Sequence, residues 1–245
     1  MERGNRSAVA TFYADYELAP GPTFELGDDA AQHARVRRLS VGESVRLTNG
    51  RGRVARGTVD RLTRGSLSVS VEQASDVTAP PRLRLFVPVA DRDRMLWLAE
   101  KSAELAVNVW QPVVFRRSAS VSPRGEGEGF ARKVRARMIA ALEQSAGAWL
   151  PEICAALPLE EALVRSGDSD GQRFLLDRAG TPLIRARPTA ADAMIGPEGG
   201  IEDEERSLIV DTHHWLPATL GDTTLRFETA AVVAAGILRA VLVRA

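Results

Sequence analysis

The amino-terminal third of the chain consists of short apolar runs that are separated by turn-forming residues. Leu67, Val69 and Val71 alternate with serine, which is typical of a strand that buries one face. The Asn-Gly pair in "TNGRG" suits the positive φ angles of a tight turn and predicts a hairpin. The run "DDAAQHARVRRLSVG" predicts one helix among these strands. Several short strands at regular spacing indicate a small β-barrel or sandwich.

Beyond Pro80 and Pro81 the pattern changes to an alternation of strands and helices. Strands are predicted at "RLRLFVPVA", "VWQPVVF", "RFLLD", "DAMIG" and "SLIVD". Helices are predicted at "DRMLWLAEKSAELAV", "GFARKVRARMIAALEQSAGAW" and "ETAAVVAAGILRAVLV". This alternation predicts an α/β domain in which helices cover a parallel sheet. The predicted domains are residues 1–78 and 79–245.

Composition narrows the class of protein. The chain is 44% hydrophobic and 26% charged, an ordinary mix for a globular protein. No apolar run has the length of a membrane span, and the first residues lack the apolar core of a secretory signal. We therefore expect a cytoplasmic protein with no membrane partner. Cys154, His33, His213 and His214 show no zinc-site spacing, so we also expect no metal.

Charge is balanced over the whole chain but unevenly distributed along it. The sequence holds 32 basic and 32 acidic residues. Residues 79–138 carry 12 basic and 6 acidic side chains, whereas residues 139–245 carry 9 and 16. A basic middle segment fits RNA phosphates, although a solvated helix face gives the same count. Charge alone therefore leaves RNA binding open.

The stretch "MIGPEGGIEDEE", residues 194–205, is the first candidate for a ligand site. A predicted strand ends at Ile195, and ligands of open α/β sheets bind at the carboxyl ends of strands. Gly196, Gly199 and Gly200 lack side chains, so backbone groups there can touch a ligand directly. A tight turn without a ligand has the same composition. The glycine spacing matches neither a dinucleotide fingerprint nor a phosphate loop.

The stretch "PATLGDTTLRFETAAVV" is the second candidate. A loop with Gly221 leads to Arg226 and Glu228 directly before the last predicted helix. Taken alone, these two charged residues are explained by helix capping and an ion pair. Taken together, however, "IGPEGG" and the later "LG…LRFETAA" strongly resemble the signature of RsmE-type methyltransferases of the SPOUT superfamily. The blocks "QHARVRRLSVGE", "EKSAELAVNVWQPV" and "RMIAALEQSAGAWLPEI" are similar to further motifs of that family.

The chain also departs from the pattern of the family. Ala106 stands where glycine is usual, and Gly147 stands where arginine is usual. Residues 222–224 are Asp-Thr-Thr instead of the common Pro-Arg-Ile, and Glu202 replaces the usual serine or threonine after the glycines. The changes at 147 and 222–224 fall where an RNA phosphate or the cofactor would be held, so they bear on activity and substrate.

The resemblance implies an RNA-binding PUA-like β-barrel followed by a SPOUT domain, a parallel sheet with a carboxyl-terminal trefoil knot. It implies that S-adenosylmethionine methylates N3 of a uridine in 16S ribosomal RNA of the small ribosomal subunit. It also implies a homodimer that completes the site. Three loops hold the cofactor, two at the stretches above and one after "RFLLD". The implied cofactor-binding residues are Leu176, Ile195, Gly196, Pro197, Gly199, Gly200, Leu220, Gly221, Thr223 and Leu225.

The chemistry makes demands on the side chains. Uracil N3 carries a proton at neutral pH, so a group must accept this proton or stabilise the uracil anion. Arg226 is the candidate stabiliser, and Glu198 or Glu228 is the candidate proton acceptor. Contacts to phosphates position RNA rather than read its sequence. The candidates for such contacts are Arg35, Arg37, Arg38, Lys101, Arg116, Arg117, Arg132 and Lys133.

Two alternatives stay open. One is a methyltransferase of the same superfamily that acts on another RNA position, such as a ribose hydroxyl; the barrel domain and the "ETA" block disfavour it. The other is an RNA-binding ribosome assembly factor that kept the fold and lost the chemistry, which the changes at 147 and 222–224 favour. We also expect a Gly199→Val substitution to abolish cofactor binding, because the new side chain would project into the cleft.

Overall fold

The computed structural model describes residues 8–118, 124–167 and 170–242. The chain folds into two compact units. The first unit comprises the chain up to Ala79 together with Ile139–Leu150. The second unit comprises Pro80–Met138 and the chain from Pro151 onwards. Along the described ranges no helix is both long and apolar enough to cross a membrane.

The first unit is built on a five-stranded sheet with the order β1-β3-β4-β5-β2. Strands β1 and β3 are parallel, and the other pairs are antiparallel. The core of the unit contains the alternating Leu67, Val69 and Val71, packed with Phe12 and Leu47. The elements are β1 (Thr11–Tyr13), β2 (Thr23–Leu26), α1 (Asp28–Val36), β3 (Ser44–Thr48), β4 (Arg53–Leu62) and β5 (Leu67–Asp76).

Strands β3 and β4 form the predicted hairpin. In its loop, the Asn49 side-chain oxygen accepts hydrogen bonds from the backbone N–H groups of Arg51 at 2.8 Å and Arg53 at 3.0 Å. Gly50 and Gly52 adopt φ angles of 70° and 88°. Glycine takes this conformation without the steric cost that a Cβ brings. The pair of glycines therefore fixes the register of the hairpin.

The second unit contains a sheet in which all strands pair in parallel. Its order is β12-β10-β11-β6-β7-β8, and β9 pairs with β7. The predicted α/β class with a parallel sheet is therefore confirmed. The elements are β6 (Leu83–Pro88), α2 (Arg92–Glu104), β7 (Val109–Val114), α3 (Glu128–Gln144), β8 (Glu152–Ile153), β9 (Leu157–Pro158), α4 (Leu159–Ser166), β10 (Gln172–Pro182), β11 (Ala191–Met194), α5 (Asp203–Ser207), β12 (Leu216–Thr219) and α6 (Phe227–Val241).

The last residues of α3 belong to the first unit. There, Glu143 accepts a hydrogen bond from the Tyr13 backbone N–H at 2.8 Å, and its other oxygen lies 3.1 Å from His33 Nδ1. Burial raises the pKa of Glu143 above its usual range, and these two partners partly offset that effect. The carboxylate thus connects α3 to β1 and α1.

The prediction of a strand at "SLIVD" is wrong, because Leu208–Thr212 form a π-helical turn that continues α5. The helix begins with a capping box in which Glu202 and Glu205 each accept a hydrogen bond from the backbone N–H of the other. Only Ile209 of the apolar run is fully buried. A short apolar run does not distinguish a strand from a helix. The strand of this region is β12, which the pattern did not predict.

Arg239 ties α6 to the beginning of the second unit. Its guanidinium donates hydrogen bonds to the backbone oxygens of Pro81 at 2.6 Å, Leu105 at 3.2 Å and Ala106, and to Asn108 Oδ1 at 3.2 Å. Burial lowers the pKa of Arg239 to about 10, so the side chain stays charged at neutral pH. Ala106 has a φ of 53°, which accounts for the glycine that is usual there.

A buried ion cluster joins β6 and β11. The carboxylate of Asp192 is fully buried and accepts hydrogen bonds from Arg82 Nη1 and Arg84 Nη2, each at 2.7 Å. The Arg84 guanidinium also lies 4.7 Å from the centre of the Phe86 ring. A buried carboxylate is tolerated because both of its oxygens are paired with cations.

Candidate active site

A cavity of about 480 Å³, a size typical of small-molecule sites, lies at the carboxyl ends of β11 and β12 and beside the middle of β10. Three segments contribute to it, one after or within each strand. The lining residues are Leu175, Leu176, Asp177, Arg178, Ile195, Gly196, Pro197, Glu198, Gly200, Ile201, Arg206, Ala218, Thr219, Leu220, Gly221, Thr223, Thr224, Leu225, Phe227 and Ala230. The cavity lies where parallel sheets bind their ligands.

Most of the predicted cofactor-binding residues line this cavity. They are Leu176, Ile195, Gly196, Pro197, Gly200, Leu220, Gly221, Thr223 and Leu225. Gly199 is the exception, since a Cβ built on it would lie 3.2 Å from the Cβ of Arg117. The expectation that valine at position 199 projects into the cleft is therefore wrong. Gly199 can therefore contact a ligand only through its backbone groups.

Two tight turns shape the wall of the cavity. Gly200 has a φ of 80°, and its N–H donates to the Pro197 carbonyl at 2.9 Å. Gly221 has a φ of 128°, and its N–H donates to Thr219 Oγ1 at 3.1 Å. Because side chains are strained at these angles, glycine is needed at both turns. No atom lies within 4 Å of a Cβ built on Gly221, so the space on its side-chain side is open.

The third segment is a bulge inside β10, whereas the sequence predicts a loop that follows "RFLLD". The strand continues to Pro182, and its pairing with β12 shifts register between Leu176 and Thr181. Asp177 and Arg178 lie in this bulge and line the cavity. The sequence analysis did not name either residue as a site residue. Asp177 ends the predicted strand "RFLLD" and Arg178 follows it directly, and this position was the signal that would have found them.

Four charged residues line the cavity, and three of them are paired. The Asp177 carboxylate lies 2.9 Å from the Arg206 guanidinium. A hydrogen bond from the Ala179 backbone N–H and this arginine hold the pKa of Asp177 below its usual range. Glu198 pairs with Arg94. Arg178 donates a hydrogen bond to Thr224 Oγ1 at 3.2 Å, and it makes no ion pair within the described part of the chain.

Glu198 and Glu228, the two candidate proton acceptors, are arranged around Arg94. Glu198 lines the cavity, is about half exposed and forms an ion pair with Arg94 Nη1. Glu228 is buried and does not line the cavity, and its Oε1 lies 4.0 Å from Arg94 Nε. Its Oε2 has no hydrogen-bond partner among the described residues. Arg226 is exposed and directly precedes α6. The sequence analysis missed Arg94, which lies about a hundred positions earlier in the chain.

The candidate phosphate-binding residues fall into two groups. Lys101 pairs with Glu100 at 2.8 Å and Glu104 at 2.7 Å, and both carboxylates raise its pKa. Arg116 pairs with Glu202 and Glu204, and Arg117 donates to the Gly199 carbonyl at 2.7 Å. These three residues already have partners, so a phosphate would compete with carboxylates or a carbonyl for their N–H donors. The others form no ion pair within the described part of the chain and are exposed, namely Arg35, Arg37, Arg38, Arg132 and Lys133.

The departures from the family pattern also divide. Thr223 and Thr224 line the cavity, so the Asp-Thr-Thr change does alter its wall. Gly147 lies in the first unit, where its carbonyl accepts a hydrogen bond from Arg46 at 3.5 Å, and it does not line the cavity. In the part of the chain that the structure describes, no cluster of His, Cys, Asp or Glu side chains is placed to hold a metal ion.

Comparison with known proteins identifies the family. Residues 78–239 match the family described as RNA methyltransferase domain, and residues 26–72 match the RNA methyltransferase PUA domain. The chain therefore belongs to the RNA methyltransferase family. The resemblance to RsmE-type enzymes and the PUA-like assignment of the amino-terminal part are confirmed.

Individual relatives agree over most of their length. Ribosomal RNA small subunit methyltransferase E of Mycobacterium bovis is 30% identical in an alignment 221 positions long that covers 86% of this chain and 83% of the relative. The Neisseria gonorrhoeae enzyme of that name, crystallised with S-adenosyl methionine, is 25% identical with a TM-score of 0.82, covering 94% of this chain and 97% of its own. A Legionella pneumophila structure with bound SAM is 28% identical with a TM-score of 0.82, covering 96% and 98%.

Proposed function

We propose that the protein uses S-adenosylmethionine to methylate N3 of a uridine in 16S ribosomal RNA. The observation that carries this proposal is the 480 Å³ cavity, which is walled by a bulge of β10 and by the segments at the carboxyl ends of the parallel strands β11 and β12. Relatives that align with nearly the whole chain are named for methylating small-subunit ribosomal RNA, and two related structures hold the same cofactor.

The residues of the cavity fit this cofactor. Leu176, Ile195 and Leu225 offer apolar surface for the adenine ring, and the turns at Gly200 and Gly221 bring backbone without a Cβ to the wall of the cavity. Such a mixture of apolar walls and a few fixed polar groups is typical of cofactor sites. When bound, S-adenosylmethionine supplies an electrophilic methyl group, so the chain must orient the target base and manage its proton.

Glu198 is the proposed acceptor of the N3 proton. It lines the cavity and is partly exposed, whereas Glu228 does not line it. In this assignment Glu228 is a positioning residue, because it faces Arg94, which pairs with Glu198. Arg226, exposed before α6, is proposed to stabilise negative charge on a uracil oxygen. N3 lies on the Watson–Crick edge, so the target uridine must be unpaired or flipped out first.

We further propose the division of labour between the parts of the chain. Residues 1–78 form the RNA-binding PUA-like domain and residues 79–245 form the methyltransferase domain. Exposed cations of both, among them Arg37 and Arg132, position the RNA through its phosphates. The packing of residues 139–150 with the first unit adds one segment to the RNA-binding domain.

A carboxyl-terminal trefoil knot is proposed on the family resemblance and on one feature of the topology. Strand β12 lies at the edge of the sheet, yet the following helix α6 packs on β6 and β11 near its middle. The chain must therefore cross β10 between these two elements. An experimental density map that traces the chain from β10 to α6 tests for the knot. A chain that passes outside the preceding loops, without entering them, contradicts the proposal.

A homodimer is proposed on the same resemblance. Helices α2 and α6 pack on each other, and both carry partly exposed apolar residues, Trp97 at 43% and Val233 at 37%. Trp97 and Val233 are candidate contacts of this interface, because pairing of two chains would remove their apolar surface from water. We expect light scattering to give twice the 26.5 kDa mass of the chain. A single-chain mass at micromolar concentration contradicts the proposal.

The function is tested in two steps. Calorimetry is expected to show that the purified protein binds S-adenosylmethionine, and incubation with unmodified small subunits is expected to yield 3-methyluridine in the 16S RNA by mass spectrometry. Binding without any methylated product supports the assembly factor. A methylated ribose supports the other RNA position. If the folded protein binds no cofactor, both catalytic functions are excluded.

A further inference from the structure

We propose that Arg178 binds the carboxylate of the methionine moiety of the cofactor. The proposal rests on the proposed function, because it assigns one residue of the cavity to one group of S-adenosylmethionine. Arg178 lies in the bulge of β10 and belongs to none of the motifs that carry the family resemblance.

The charges of the cavity single out this residue. Asp177 and Arg206 neutralise each other at 2.9 Å, and Glu198 is paired with Arg94. Arg178 is thus the one cation among the described lining residues that has no acidic partner. The carboxylate is the only anionic group of S-adenosylmethionine. Arg178 is an exposed residue of the cavity lining, so electrostatic complementarity pairs it with this carboxylate without the cost of burying the guanidinium.

The side chain is also held in a suitable position. Arg178 Nη1 donates to Thr224 Oγ1 at 3.2 Å, so one hydrogen bond spans the bulge and the segment after β12. A guanidinium carries five N–H donors, and a single acceptor leaves a fork of donors for a carboxylate. Holding the side chain before binding reduces the entropy that is lost when the ligand arrives.

The departure at residues 222–224 fits this role. The arginine that is common at position 223 is Thr223 here, and the neighbouring Thr224 is the hydrogen-bond partner of Arg178. The structure thus places a guanidinium beside the segment that has lost its own. A phosphate of the RNA is the competing anion, but the proposed phosphate contacts Arg132 and Lys133 are exposed and do not line the cavity.

The test compares two ligands that differ only in the proposed group. Calorimetry measures the Kd of S-adenosylmethionine and of its decarboxylated analogue for the wild type, Arg178→Ala and Arg178→Gln. Removing a charge-assisted hydrogen bond is expected to weaken S-adenosylmethionine about 10- to 100-fold. The analogue is expected to keep its affinity in both variants. Arg185→Ala is the control, because Arg185 is exposed, lies between β10 and β11 and does not line the cavity.

Each remaining result overturns the assignment. An equal loss for both ligands shows that the side chain shapes the cavity without meeting the carboxylate. Unchanged affinity for S-adenosylmethionine excludes the contact, and a simultaneous loss of RNA affinity identifies a phosphate as the partner. If the wild type binds neither ligand, the proposed function itself fails, which is distinct from a failure at Arg178.

Discussion

Replacing Asp192 by alanine is expected to lower the free energy of unfolding by about 3–5 kcal/mol. The substitution removes the buried carboxylate from the guanidinium of Arg84, whose side chain is only 11% exposed. The cost of an uncompensated charge exceeds the worth of the ion pair itself, because desolvation is no longer offset. Urea unfolding followed by tryptophan fluorescence measures the loss, since the buried Trp110 and Trp215 report on this unit.

Asp211 provides the matched control in the same unit. It is exposed and accepts a hydrogen bond only from the Ser207 hydroxyl at 2.6 Å among the described contacts. Asp211→Ala is expected to leave the unfolding midpoint nearly unchanged, because exposed polar pairs contribute little. If both substitutions lower the free energy of unfolding equally, the burial of Asp192 does not contribute to the stability of the sheet.

The Ala230→Phe variant is expected to lose cofactor affinity by on the order of 100-fold while staying folded. Ala230 lies in the first turn of α6, is half-buried and lines the cavity. A phenyl ring there takes up space that the ligand needs, and overfilling a packed site costs about 1–3 kcal/mol. Calorimetry measures the affinity, and circular dichroism confirms the helix.

Ala240→Phe is the control for this substitution. It makes the same change on the same helix, but at an exposed position that does not line the cavity. We expect it to bind S-adenosylmethionine as the wild type does. If Ala230→Phe binds equally well, the ligand lies elsewhere and the cavity is not the cofactor site.

The sequence predicted the two-part organisation because each part shows its own hydrophobic period. Alternation at Leu67, Val69 and Val71 indicated the first sheet, and strand-helix alternation indicated the second. The error at Leu208–Thr212 arose because three adjacent apolar residues fit a strand and a buried helical turn equally well. The capping box at Glu202 and Glu205 was the better signal, and it indicates a helix.

For the site, the motifs predicted which residues lie near the cavity more reliably than they predicted which way a side chain points. The glycine stretches reach the cavity as expected, but the Cα of Gly199 faces Arg117, and this orientation depends on turn angles that composition does not specify. The ion pairs of the site could not be predicted from the sequence, for a different reason. Arg94 and Glu198 are 104 positions apart, and no local pattern relates residues that only the topology of the sheet brings together.

The hydrogen bonds of Arg239 have a consequence for synthesis. The guanidinium joins α6 to Pro81 across 158 positions, and α6 covers β6 and β11. Contacts of such long range form late, because the intervening chain must be closed first. A ribosome that has translated β6 must therefore synthesise the chain through α6 before this side of the sheet is covered. Until then its apolar strands remain open to chaperones and proteases.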